Sequence, residues 1–218
     1  MARQNRRTES LETQQGVLTS YEEIEPVLSA AEARGRTLVL DWPSSTADSI
    51  WTPSDFDILD LHRAMFETVF DWAGRTRVDA RGPGGVVHVA PHEIRIELRK
   101  LADDLHAWVA ASWNQGELDL GTIAAHIADA HHRFQWIHPF QDTNGRTGRV
   151  MDHGLLWATF GLAGATPDES PIIEYFPDPA SEDAYFEGLL EADLGRPDRL
   201  RDYYRERVEA AAAAAAYT

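Results

Sequence analysis

Twelve consecutive residues constrain this chain more than any others: His138-Pro139-Phe140-Gln141-Asp142-Thr143-Asn144-Gly145-Arg146-Thr147-Gly148-Arg149. They bring together an imidazole, a carboxylate, an amide, two glycines and two arginines. Apolar residues at helical spacing flank the stretch on both sides. Proline pushes the residue before it out of the α region, so the first helix is expected to stop at the His138-Pro139 step. A second apolar pattern starts near Arg146 and runs to about Phe160. The stretch therefore reads as a loop that delivers charged groups to a helix N-terminus. Such a place presents backbone N–H groups and the positive end of the helix dipole, and it binds anions, phosphates above all. Arg146 and Arg149 lie three positions apart and can point the same way. Arginine also suits bidentate contact with phosphate.

The rest of the chain narrows the ligand. Its 218 residues suit one domain with a real core, placed here at residues 16–218. The formal net charge is −16, and so acidic a surface repels nucleic-acid phosphate. Two cationic side chains in an acidic field point to a small phosphate ligand rather than a polymer. There is no cysteine, hence no disulfide and no thiolate metal site. No apolar run approaches the roughly 18 residues of a membrane span. Met1 to Gln15 is polar, lacks an apolar stretch of the secretory kind and is expected to be a disordered tail. The expected location is the cytoplasm.

Periodicity predicts an all-α fold with one small hairpin. A helix is expected over residues 20–34, with Ile24, Val27, Leu28 and Ala31 apolar, Ser20 as its cap and Gly35 ending it. Thr52-Pro53-Ser54-Asp55 starts a second, expected to continue to Gly74. Pro91 opens a third, with Ile94, Leu98, Leu101, Leu105, Trp108 and Val109 along one stripe. Leu120 to Ile137 is a fourth; two further segments, Tyr185 to Leu190 and Leu200 to Ala216, follow the motif helix. Between Arg81 and Ala90, glycines and a proline precede Val86-Val87-His88-Val89, which predicts a short hairpin. Several histidines tempt a metal reading, and none carries it. His88 and His92 lack a third ligand at metal-like spacing. His131 and His132 are adjacent on a helix and point about 100° apart.

The twelve-residue stretch resembles the signature of the Fic domain, HPFx(D/E)GNGRxxR, with Thr143 where that family has glycine. Leu61-His62-Arg63-Ala64-Met65-Phe66 and Trp72-Ala73-Gly74-Arg75-Thr76-Arg77 resemble the LHxxxF and WAGxxR segments of the same family. The resemblance spans roughly residues 55–160. It implies a Fic-type helical bundle and transfer of AMP from ATP to a Ser, Thr or Tyr hydroxyl of a target protein. It also implies a role for each residue. His138 would be the base and Asp142 the Mg²⁺ ligand. Asn144 and Gly145 would meet the α/β-phosphates, and Arg146 and Arg149 the β/γ-phosphates. The hairpin at Val86, Val87, His88 and Val89 would be the flap that grips the target by strand addition.

Thr143 departs from the pattern. A β-branched residue resists the positive φ that glycine takes freely. Either φ is negative here or the cradle is distorted, and the Thr143 hydroxyl could itself donate to phosphate. Two other readings stay open: transfer of UMP, GMP, phosphate or phosphocholine, and a non-catalytic Fic-fold binding protein. His62 reads as a packed helix histidine, and Phe140 and Pro139 as residues that pack the loop.

Many relatives of this kind are restrained by a helix bearing (S/T)xxxE(G/N), whose glutamate pairs with the second motif arginine. Thr8 to Thr13 and Thr19 to Ile24 supply Glu12 and Glu23 at the right spacing, but neither is followed by Gly or Asn. The expectation is that the chain does not restrain itself strongly. A separate small antitoxin-like protein is expected to supply any such glutamate.

Overall fold

The computed structural model describes residues 11–43, 49–79, 89–116, 119–158 and 172–215. Among these, seven α-helices and one two-stranded antiparallel sheet form. The helices are α1 (Tyr21–Val39), α2 (Asp55–Phe66), α3 (Ile94–Gln115), α4 (Leu120–Ile137), α5 (Asn144–Ala158), α6 (Pro179–Asp193) and α7 (Asp198–Ala215). No described helix is long and apolar enough to cross a membrane.

Capping chemistry sets most of the helix starts. Ser20 and Glu23 form a capping box at α1, and Ser54 and Asp57 form one at α2. The α2 cap is therefore Ser54 rather than Thr52, because Asp57 is the residue placed to return the hydrogen bond. Asp119 caps α4 and Asp178 caps α6 through their side chains. Pro91–Glu93 forms a single 3-10 turn before α3.

Three expectations give way to packing. Gly35 does not end α1, which runs on to Val39. A Cβ at Gly35 would lie 2.8 Å from Met65 and 3.0 Å from Val150, so the glycine lets α1 sit close to α2 and α5. The second helix stops at Phe66 instead of Gly74, and turns follow. The hairpin among the described residues is not the one expected. It pairs β1 (Leu11–Thr13), at the end of the segment read as a tail, with β2 (Gly16–Leu18), and Gln14 N–H fastens it to Val69 O at 2.9 Å. Of the expected flap only Val89 is described, and Val86, Val87 and His88 lie outside the described residues.

Helix α5 is the hub. It packs against α1, α2 and α4, and α7 packs against α4 and α6. Val150, Met151, Leu155 and Leu156 bury its core face with Ile127, Phe134 and Ile137 of α4. The N-terminus of this buried helix is where the twelve-residue stretch delivers its charged groups.

Candidate active site

The site begins where α4 ends. His138 caps that helix in the left-handed region, φ 49 and ψ 60, with its N–H on Phe134 O at 2.9 Å. An L-residue pays about 1–2 kcal/mol there. A buried arginine holds it in place. Arg77, only 6% exposed, donates from Nε to His138 O at 2.7 Å and from its fork to Ile137 O, Asp79 O and Val89 O. The Arg77 N–H also reaches Pro139 O at 2.9 Å. One guanidinium thus satisfies carbonyls at the end of α4 and fixes both Asp79 and Val89. The WAGxxR likeness flagged Arg77 without giving it a role. Its signal in sequence was an arginine at a fixed offset from a helix that ends in unsatisfied carbonyls.

The loop is locked from inside. Phe140 is fully buried and stacks on His62 with ring centroids 3.7 Å apart, and Pro139 is buried beside it. The Asn144 side chain, 2% exposed, clamps the Phe140 backbone: Oδ1 accepts from Phe140 N–H and Nδ2 donates to Phe140 O, each at 2.9 Å. Its amide therefore shapes the loop. What Asn144 offers a ligand is its backbone, since the first turn of α5 leaves N–H groups without helical acceptors. Thr143 has φ 62, so the loop keeps the positive φ of a glycine. Its hydroxyl lies 3.1 Å from His62 Nε2 and donates to Asp142 O at 2.7 Å. That side chain points inward, to His62 and the Asp142 carbonyl. His62 is packed, as read from sequence, and burial pushes its pKa down to about 3.

The ligand-facing groups remain. Asp142 takes the Thr143 N–H on Oδ1 at 2.6 Å. Burial raises its pKa against the pull of that N–H and of Arg146. A Cβ at Gly145 would meet nothing nearer than Arg149 at 3.6 Å, an ordinary contact. The protein itself does not require glycine there, and the missing side chain leaves room for a ligand against the helix N-terminus.

Arg146 and Arg149 do point the same way, and both meet glutamates of α1. Arg146 pairs with Glu25 at 2.7 Å and Glu32 at 2.9 Å, and Arg149 pairs with Glu32 at 3.3 Å. Burial alone would raise the Glu32 carboxyl, but Arg149, Arg146 and Arg36 outweigh it and hold it below its ordinary value. Arg149 also lies over the rings of Tyr175 and Phe176, at 5.9 and 5.3 Å. Neither glutamate singled out from sequence makes this pair. Glu23 turns back on the Thr19 and Ser20 N–H groups at the start of α1, and Glu12 sits in β1 opposite Val17. Glu32 of α1, which was not singled out from sequence, pairs with Arg149 in their place. The sequence carried a signal: Glu25 and Glu32 are two helical turns apart at the edge of the buried stripe of Ile24, Leu28 and Ala31, where a carboxylate needs a partner.

The remaining histidines take structural partners. His131 Nδ1 meets Asp152 at 2.6 Å, its Nε2 meets Tyr185 at 2.6 Å, and His132 pairs with Asp193 at 3.0 Å. No group of three or more metal-ligating side chains forms among the described residues.

This arrangement is that of a known family. Residues 53–156, just under half of the chain, match the model of the Fic/DOC family. A curated relative from Sinorhizobium fredii, named "Probable protein adenylyltransferase y4lH", is 30% identical over 112 residues, covering 51% of this chain and 55% of the relative. The match thus spans about half of that relative's length. Among solved structures, BepC of Bartonella tribocorum, a VirB-translocated effector with bound AMPPNP, aligns with a TM-score of 0.68 at 18% identity over 93% of each chain. Fic-1 of C. elegans aligns with a TM-score of 0.60 at 21% identity, over 88% of this chain and 49% of that one. These likenesses establish the Fic fold.

Proposed function

We propose that this chain transfers AMP from ATP to a Ser, Thr or Tyr hydroxyl of a target protein. The observation that carries the reading is the junction of α4 and α5. It places a half-buried imidazole, His138, one short loop before a helix N-terminus flanked by Asp142, Arg146 and Arg149. The name of the S. fredii relative and the AMPPNP bound to BepC support it. His138 takes the proton of the target hydroxyl. The oxygen attacks the α-phosphorus, the bond to the bridging oxygen breaks, and pyrophosphate leaves. The N–H groups of Asn144, Gly145 and Arg146 face the developing charge.

Asp142 fits Mg²⁺ in one specific sense. A lone carboxylate is the usual protein contribution when the remaining ligands are phosphate oxygens and water. When bound with the nucleotide, Mg²⁺ supplies charge neutralisation across the phosphates. Arg146 and Arg149 meet the outer phosphates only by sharing or releasing Glu25 and Glu32. The target is expected to dock at the segment around Val89, and a separate inhibitory protein remains part of the proposal.

The test uses the purified chain, a cell lysate and nucleotides labelled at the α- or γ-phosphate. Label from α-phosphate ATP on a Ser, Thr or Tyr, found as an AMP adduct by mass spectrometry, is the expected result. Label from UTP or GTP alone, from γ-phosphate alone, or from no nucleotide overturns the proposal.

A further inference from the structure

Thr143 poses a physical problem that glycine would not. It sits at φ 62, where a β-branched residue is strained, inside the loop that shapes the anion cradle. Its side chain is nonetheless 7% exposed and bonded on both sides. The bonds have a definite order. Gly74 N–H donates to His62 Nδ1 at 2.9 Å, which leaves the ring proton on Nε2. Nε2 lies 3.1 Å from Thr143 Oγ1, so the ring donates and the hydroxyl accepts. The hydroxyl proton then goes to Asp142 O at 2.7 Å, and the Thr143 N–H goes to Asp142 Oδ1 at 2.6 Å. The ring itself cannot turn, packed by Phe140 at 3.7 Å, Phe66 at 5.0 Å and Trp72 at 5.6 Å between centroids.

We infer that His62 is a positioning residue for the anion-binding loop. By holding the Thr143 hydroxyl it keeps residue 143 left-handed, and so aims both the first N–H groups of α5 and the Asp142 carboxylate at the ligand. Thr143 and His62 together do what the backbone freedom of glycine does alone. The identity of the ligand rests on the nucleotide reading above; the geometry of the loop does not.

Two measurements on the full chain test this and separate it from that reading. The first needs no nucleotide. Nitrogen-15 NMR of the wild-type protein is expected to show His62 protonated at Nε2 and bare at Nδ1, with a slowly exchanging Nε2 proton. A ring protonated at Nδ1 overturns the inference. The second is binding of Mg·ATP to three variants. Thr143→Val keeps the branch and loses the hydroxyl, and should weaken binding about tenfold, the size of one lost hydrogen bond. Thr143→Ser keeps the hydroxyl, Thr143→Gly removes the need for it, and both should stay within about threefold of the parent. Thr143→Val binding as tightly as the parent overturns the inference, as does Thr143→Gly binding as weakly as Thr143→Val. A parent that binds no ATP overturns the nucleotide reading. In that case faster exchange of the Nε2 proton in Thr143→Val supports the loop inference, and unchanged exchange overturns it.

Discussion

The two ends of α5 treat buried polar groups in opposite ways. At the N-terminal end, buried side chains are spent on backbone geometry. Arg77, His62 and Asn144 hold two left-handed residues, His138 and Thr143, within a short loop, and the cations beyond it are paired with partly exposed carboxylates. Toward the C-terminal end, Asp152 is fully buried and its Oδ2 gathers His131, Tyr175 and Tyr204 at 2.6, 2.7 and 2.9 Å. These partners come from α4, from the segment before α6, and from α7. The cluster contains no left-handed residue and ties α5 to α4, to the segment before α6 and to α7. One end stores strain where a ligand is handled, and the other stores cohesion. The contrast separates residues whose loss costs rate from residues whose loss costs folding.

The largest effect is expected at the strained end and in rate alone. His138→Ala should lower AMP transfer about 10²–10⁴-fold while Mg·ATP affinity and the thermal midpoint stay near those of the parent. Transfer at the parent rate would remove His138 from the mechanism. Next in size, Asp152→Ala should lower unfolding free energy by about 3–5 kcal/mol, because it strands a buried histidine and two buried hydroxyls. Its folded fraction should still bind nucleotide. Urea unfolding and a binding isotherm on the same pair decide. A His138→Ala protein that melts early, or an Asp152→Ala protein of full stability, would erase the contrast between the two ends.

This contrast also tracks what the sequence disclosed. The helices were legible because period and caps are local: α4 runs over the residues expected, and Phe140 and His62 are packed as read. His138, Asp142, Arg146 and Arg149, the groups proposed to meet the ligand, stood out in the sequence because the proposed chemistry needs those side chains. What was hidden depends on partners distant in the chain. The inward turn of Asn144 and Thr143 follows from Phe140 and His62, and the pairing of Arg149 follows from the packing of α1 on α5. Gly35 was misread for the same reason, since only the neighbouring α2 and α5 show why it lacks a side chain. The Asp152 cluster gave no sequence signal, because tyrosines spaced across 30 residues have no period.

One histidine in each region sharpens the comparison through pH. Burial pushes His62 to about 3 and His153, which accepts the Ile173 N–H beside the Asp152 cluster, to about 4. Both folded values lie below the roughly 6.5 of an unfolded histidine. The unfolded chain therefore binds more protons on acidification, and stability falls as pH drops below about 6.5. The loss continues toward the folded values. At about pH 5 each histidine should cost roughly 2 kcal/mol relative to pH 7.5, in line with linkage. Denaturant unfolding at both pH values measures these two rings together with His126, which burial also shifts down, and replacing His153 by Asn should remove roughly 2 kcal/mol of the total. A stability that is flat over this range would mean that neither ring is neutral in the fold.

The smallest expected effect lies at Glu32, where a glutamate of α1 holds both motif arginines. Glu25 and Glu32 offset the charge of Arg146 and Arg149, which makes the pair a poorer cradle for the outer phosphates. Replacing Glu32 by Gln leaves Glu25 on Arg146, takes the Glu32 carboxylate from Arg149, and raises the cluster's charge by one. Glu32 is mostly buried, so the change is not lost to solvent screening, yet Arg146 keeps Glu25 and Arg149 keeps the rings of Tyr175 and Phe176. Affinity for Mg·ATP and self-modification should each rise about three- to tenfold, up to about 1.4 kcal/mol. Loss of affinity would show instead that Glu32 orients the arginines for the ligand, and self-restraint would then have to come from outside the chain. Glu12→Gly and Glu23→Gly provide the control. Glu23 caps α1, so its loss should cost about 1 kcal/mol of stability and no rate, while Glu12 in β1 should change neither. A rise in either of these, with none at Glu32, would place the competing carboxylate in the N-terminal segment after all.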